Sequence, residues 1–212
     1  MLVLKFQKGY RVPAIKIGEF SVGMDNKPFI IAEMSGNHNQ SLDRALKIVE
    51  KAAEVGVNAI KLQTYTPDTM TLDISDGDFF IKDKTSLWFG KSLYDLYKVA
   101  HTPWKWHEII MKKANQLGLI CFSTPFDETA VDFLEDLNVP AYKIASFENS
   151  YIPLIKKVAA TGKPVIISTG MASIGQISEA VKVVKQAGCE QFILLKCTSS
   201  YPADPADANI ES

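Results

Sequence analysis

Three lysines interrupt apolar runs in this chain: Lys61 in AIKLQT, Lys143 in AYKIAS and Lys196 in ILLKCTSS. Withdrawing an ammonium from water is costly unless a counter-charge meets it, so one shared anionic ligand accounts for all three better than three separate accidents. Side chains alternate along a strand, which puts Gln63 on the same face as Lys61. The ends of the apolar runs add Glu33, Thr124, Ser146, Glu148, Ser168 and Ser199. Ammonium and hydroxyl groups without a glycine-rich loop suit a small compound bearing phosphate and carboxylate, whose oxygens take charge-assisted hydrogen bonds. Glu33 and Glu148 suit a hydroxylated second substrate or a proton transfer. Two other accounts compete. Each lysine pairs with a local glutamate or extends to solvent, or Lys61 or Lys143 forms a Schiff base in an aldolase.

The elements that must position these groups repeat one pattern. A helical stretch ends near Gly or Asn, about two residues intervene, and an apolar run follows that closes on Ser or Thr. GVNAIKLQT, GLICFST, NVPAYKIAS, GKPVIIST and GCEQFILLKCTSS all read this way, and FIIAEMS is a sixth run without a preceding helix. Between them lie amphipathic stretches: SLDRALKIVEKAAEVG, with Ser41 as N-cap and Gly56 as its stop, HTPWKWHEIIMKKANQLG, DETAVDFLEDLN and QISEAVKVVKQAG. Strands alternating with helices imply a parallel sheet, and continuous apolar strands imply burial on both faces. No Gly-rich phosphate loop follows the first strand, which removes the main support for a Rossmann or P-loop reading. The expected fold is a (β/α)8 TIM barrel, incomplete at about six strands, over residues 29–212. Residues 1–28 form an extension with a short hairpin whose turn chemistry lies at Gly23–Asn26, placed to plug the barrel floor. Residues 66–92 read as a long functional connection. In a barrel the strand ends converge at one mouth, where the candidate residues then meet.

His38, in the sequence NHN, is more readily an orienting hydrogen-bond donor than a metal ligand, because no second and third ligand accompany it. His101, His107, Trp104, Trp106, Tyr94 and Tyr97 read as packing and surface residues. Cys121, Cys189 and Cys197 lack metal spacing and a neighbouring base, so they carry no catalysis and suggest a reducing compartment. A net charge of −1 and a pI near 6.3 give no basic field for nucleic acid. No apolar stretch approaches the roughly 18 residues needed to span a bilayer, and no signal h-region is seen. A cytoplasmic enzyme acting on small molecules is expected.

The ordered series IAEMSGNHNQS, AIKLQTYTPDTM, FSTPFDETAVDFLEDLNVPAYKIASFE, KPVIISTGMA and LLKCTSSYPA resembles the sialic acid synthase family, from about Ile15 to Ile210. That family condenses phosphoenolpyruvate with an amino sugar. Neuraminate-type members read like EIGVNHNG at the first motif and tend to have His where this chain has Lys196. Both departures favour the pseudaminate branch over the neuraminate and legionaminate branches. The resemblance implies that Lys61, Thr124, Lys143, Ser146, Ser168 and Ser199 hold the phosphate and carboxylate of phosphoenolpyruvate. It implies further that Glu33, Gln63, Glu148 and Tyr201 line the region where donor and sugar meet, with His38 a first-strand site residue. A divalent Mn or Mg ion would polarise the open-chain sugar aldehyde, C3 of phosphoenolpyruvate would attack it, and water would complete loss of phosphate by C–O cleavage. The family's metal-binding histidines on the seventh and eighth strand units are expected beyond Ser212. So is an antifreeze-like domain that gives an Arg to the partner subunit of a domain-swapped homodimer. Little activity is expected of these 212 residues alone, the alternative to a synthase being a truncated product without turnover.

Overall fold

The computed structural model describes residues 13–200 and 203–209. Its contacts define two units, the described parts of Met1–Pro28 with Ile144–Ser212, and Phe29–Lys143. The sequence had set 1–28 apart from all that follows. In the structure that segment joins the later residues, because the N–H of Lys16 donates to Oε1 of Gln191 (3.3 Å) and Ile17 is fully buried. Strands β1 (Ile15–Ile17) and β2 (Phe20–Val22) pair antiparallel, with Ile17 opposite Phe20 across a Gly18–Glu19 loop. The turn expected at Gly23–Asn26 is present, with the N–H of Asn26 donating to the Gly23 carbonyl (3.0 Å), but it follows the hairpin and does not close it.

The Phe29–Lys143 unit is built on parallel strands β3 (Ile31–Glu33), β4 (Ala59–Thr64), β5 (Ile120–Pro125) and β6 (Tyr142–Ile144). Their register sets Glu33 opposite Lys61, Gln63 opposite Thr124, and Ser123 opposite Tyr142. Helix α1 (Leu42–Glu54) starts where Ser41 Oγ accepts from the N–H of Arg44 (3.3 Å). It stops before Gly56, whose φ of +76° only glycine adopts without cost. Helices α2 (Pro67–Met70) and α3 (Leu93–Ala100) flank the long connection, followed by α4 (Trp104–Gln116) and α5 (Glu128–Asp136). That connection also holds a 3-10 turn, Gly77–Phe79, and is pinched shut by a bridge between Phe80 and Ser92.

Alternation decides which side chains meet the helices. Thr64 Oγ1 hydrogen-bonds His107 Nε2 on α4 (2.9 Å) and Ser123 Oγ (2.6 Å), while the Tyr142 hydroxyl donates to Glu135 Oε1 on α5 (2.7 Å). Ile60 and Leu62 share that face with Thr64 and are fully buried, as are Ala45 and Val49 of α1, Ile110 of α4 and Leu134 of α5. Each such aliphatic side chain contributes roughly 1.5–3 kcal/mol. Lys61, Gln63, Thr124 and Lys143 fall on the opposite face by the same parity. Trp104 stacks on Phe133 (4.6 Å between centroids) and Tyr97 meets Tyr65 edge-on (5.6 Å), so both pack as expected. Tyr94 instead donates its hydroxyl to Asp68 (2.7 Å).

In the other unit, α6 (Ile152–Ala160), β7 (Val165–Ser168), α7 (Ile174–Gln186) and β8 (Phe192–Leu195) follow in turn. β7 and β8 pair parallel with Ser168 opposite Leu195. All four residues of β7 are buried, with Leu154, Ile155 and Val158 of α6 and Val184 of α7 completing this core. No helix among the described residues is long and apolar enough to cross a membrane.

Candidate functional site

The run FIIAEMSGNHNQS bends sharply after β3. Ser35, Asn39 and Gln40 all take left-handed backbone conformations, at φ 49°, 47° and 55°. Each costs on the order of 1 kcal/mol or more in a residue with a Cβ, so the surroundings must hold them. They do. The Ser35 N–H donates to Glu33 Oε1 (3.2 Å), and Gln40 Nε2 donates to the carbonyls of Val99 (3.1 Å) and His101 (2.7 Å). His38 is fully buried; its Nδ1 accepts from the N–H of Gln40 (3.2 Å), which leaves the proton on Nε2, facing Thr102 Oγ1 (3.1 Å). Burial, and then the nearby His101, hold His38 below the usual imidazole range. It was expected to touch substrate. With no exposed surface and both nitrogens engaged within the protein, it serves instead to brace the loop that carries Glu33.

Glu33 stands at the end of β3 and forms an ion pair with Lys61, whose ammonium also donates to Thr124 Oγ1 (3.1 Å). Only 12% of the Lys61 side chain is exposed, against 43% for Glu33. The account in which a lysine pairs with a glutamate therefore applies to Lys61, and its partner is itself one of the strand-end candidates. An ammonium has three donors, and Glu33 and Thr124 take two. Gln63 lies two residues on from Lys61 along the same face, opposite Thr124 in register. Lys143 is 7% exposed and shares this face. The Phe29–Lys143 unit thus gathers two buried ammonium groups, a carboxylate, a carboxamide and a hydroxyl on the side away from its helices.

The second unit gathers hydroxyls. Ser168 closes β7 and is buried, and Ser146 and Ser199 meet at Gly170, two residues further on. A Cβ at Gly170 would lie 2.1 Å from Ser199 Oγ and 2.7 Å from Ser146 Oγ. Glu148 lies half-buried in the turn after β6, its N–H donating to the Ala145 carbonyl (3.2 Å). Lys196 differs from the expectation of a strand lysine. It follows the last residue of β8, is exposed, and donates to Thr198 Oγ1 (3.2 Å) and the Asp207 carbonyl (3.5 Å). Leaving the strand frees its ammonium to reach these polar groups, so it is not a third buried cation. Tyr201 lies outside the described residues.

Sequence reasoning passed over Gly170 and Asn149. Glycine in STGMA looks like any loop glycine, and Asn149 follows Glu148 with no motif of its own. Burial pushes the Cys121 thiol up to about 12 and raises Cys189 as well, which leaves neither as a ready nucleophile. Among the described residues no group of three or more His, Cys, Asp or Glu side chains is placed to hold a metal ion, so the divalent ion implied by resemblance has no fitting ligand set here.

The model of the NeuB family matches residues 48–212. The chain is 42% identical over 197 residues to the pseudaminic acid synthase of Campylobacter jejuni subsp. jejuni serotype O:2, covering 93% of this chain and 56% of that protein. It is 43% identical over 185 residues to the pseudaminic acid synthase of Helicobacter pylori, covering 87% and 54%. It spans about half the length of these curated relatives. Among solved structures it is similar to the N-acetylneuraminic acid (sialic acid) synthetase of Leptospira borgpetersenii serovar Hardjo-bovis, crystallised with citrate. The identity is 32% and the TM-score 0.81, with 92% of this chain and 63% of that one covered. The strands and helices described above are thus six units of the expected β/α barrel class, preceded by a hairpin, and the chain belongs to the NeuB family.

Proposed function

We propose that this chain carries the phosphoenolpyruvate-binding residues of a pseudaminic acid synthase. The reaction condenses phosphoenolpyruvate with 2,4-diacetamido-2,4,6-trideoxy-L-altrose to give pseudaminic acid and phosphate. The observation that carries this reading is the largely buried ammonium of Lys61, set between Glu33 and Thr124 with Lys143 on the same face. Two ammonium groups on one face, Lys143 buried and Lys61 largely so, suit a ligand with more than one anionic oxygen, and the third donor of Lys61 would be given to it. The two relatives at 42% and 43% identity favour the pseudaminate sugar over the legionaminate and neuraminate alternatives, whose synthases match at 34% and 30%.

In the proposed reaction the enol of phosphoenolpyruvate supplies C3 to the sugar aldehyde, forming the carbon–carbon bond while the aldehyde oxygen gains a proton. Water adds at C2, and phosphate leaves by C–O cleavage. Lys61 and Thr124 would orient the donor, and Lys143 would balance its remaining charge. Glu33, held against Lys61 and fixed by the Ser35 N–H, would accept or return the proton. The test is calorimetric titration of this chain with phosphoenolpyruvate, followed by phosphate release by the complete synthase with each candidate sugar. We expect phosphoenolpyruvate to bind and the altrose derivative to be the preferred acceptor. Preference for N-acetylmannosamine would overturn the sugar assignment, and a borohydride-trapped adduct on Lys61 or Lys143 would make the protein a Schiff-base aldolase.

A further inference from the structure

In the unit holding Ser146, Ser168 and Ser199, a side chain with no assigned role ties the serines together. Asn149 is 6% exposed and sits in the turn between β6 and α6. Its carboxamide nitrogen donates to two backbone carbonyls, those of Ser168 (3.3 Å) and Gly170 (3.2 Å). These carbonyls lie where the β7 ladder runs out. The last bonds to β8 are made by the N–H and hydroxyl of Thr169, both to the Leu195 carbonyl at 3.0 Å. Ser168 is the last residue of the ladder and Gly170 lies beyond it, and one primary amide with two N–H groups serves both carbonyls. The turn it holds is not relaxed, since Met171 has a left-handed φ of 60°. Gly170 carries the second of these carbonyls and approaches the Ser146 and Ser199 hydroxyls so closely that a Cβ there would force them to shift.

We infer that Asn149 is a positioning residue for phosphoenolpyruvate: it fixes the turn after β7 so that the bare backbone of Gly170 and the neighbouring serine hydroxyls form one anion-binding wall. The inference rests on the phosphoenolpyruvate reading above. Hydroxyls discriminate an oxyanion only when their placement is fixed to a fraction of an ångström, and nothing in a serine fixes its own strand end. An aspartate at 149 keeps the shape but, when ionised, has no proton to donate and faces two carbonyls with a negative charge. Alanine removes the amide that ties the two carbonyls together.

The experiment is calorimetric titration of phosphoenolpyruvate into the wild-type chain and into Asn149→Ala, Asn149→Asp and Lys61→Met. Circular dichroism reports the fold of each. A positioning role raises the dissociation constant at least tenfold in both Asn149 variants with the binding stoichiometry unchanged. A merely structural role would lower the stoichiometry, as part of the sample fails to fold, and leave the affinity of the remainder as it was. If Asn149→Ala does not fold, the isosteric Asn149→Asp carries the test. Unchanged affinity in Asn149→Asp, beside a weakened Lys61→Met, would overturn this inference alone. Absence of binding to the wild type, or an unaffected Lys61→Met, would overturn both it and the functional reading.

Discussion

Replacing Gly170 by alanine adds one methyl group at the point where the Ser146 and Ser199 hydroxyls meet. The new Cβ would sit 2.1 Å from Ser199 Oγ, 2.7 Å from Ser146 Oγ and 3.2 Å from Ser146 Cβ. Ordinary non-bonded contacts lie at about 3.5 Å, so the first is more than 1 Å too short and the second nearly as bad. Ser199 is exposed and can rotate its hydroxyl away, whereas the turn bearing Gly170 is held by Asn149 and cannot retreat freely. The stability loss should therefore fall at the lower end of the usual overpacking range, about 1 kcal/mol. Binding should suffer more. Displacing the serine hydroxyls forfeits one or two hydrogen bonds to a charged group at about 1.5–3 kcal/mol each, so phosphoenolpyruvate affinity should drop by roughly 10-fold for one weak bond and up to roughly 10,000-fold for two strong ones. Urea unfolding gives the first quantity and calorimetric titration the second. Adding Ser199→Gly should recover part of the stability but not the affinity, because Ser146 still meets the methyl group and one hydroxyl is gone. Wild-type affinity in Gly170→Ala would refute the close approach and the wall built on it.

Two further outcomes follow from the buried imidazoles. Burial lowers His107 to about 4 from a model-compound value of 6.5, so the unfolded chain takes up a proton that the folded one refuses. Its contribution, roughly 3 kcal/mol, is complete above pH 6.5 and is lost as the pH falls towards 4; urea unfolding across that window should show stability rising with pH, and His107→Gln should flatten the slope. His38→Ala removes the acceptor of the Gln40 N–H and the donor to Thr102, both inside a loop with three left-handed residues. It should cost about 2–5 kcal/mol through the buried Thr102 hydroxyl left without its partner and a cavity beside Trp106, and faster amide exchange at residues 35–40 would check that the loss is local.

Features written in local chemistry were legible in the sequence. Ser41 and Gly56 bracket α1 because a cap and a left-handed stop act within one turn of the helix they bound. Lys61 and Lys143 stood out because a cation within an apolar run is a contradiction that needs a partner. Lys196 looked the same, but an apolar run does not reveal where its strand ends, and β8 stops one residue earlier. The 66–92 connection lacked a period since its order comes from backbone bonds, such as Ile81 N–H to the Lys91 carbonyl (3.0 Å), which any side chain permits. α3 was missed because its eight residues close an aperiodic connection and give too few turns for a clear apolar stripe. Asn149 could not be read at all. Its partners are main-chain carbonyls 19 and 21 residues away, and a carbonyl has no signature in sequence.

On the proposed reading, Lys61 is kept in a largely buried position to receive a multiply charged anion. That reading is tested most directly by titrating phosphoenolpyruvate into the wild-type chain and into Lys61→Met, with inorganic phosphate as competitor. Methionine fills similar space without the charge, so stability should change by no more than about 1 kcal/mol, since the lost ion pair and the relieved desolvation oppose each other. Affinity should fall at least tenfold, and phosphate should compete with phosphoenolpyruvate in the wild type. Equal affinities in the two proteins would show that Lys61 serves only to pair with Glu33.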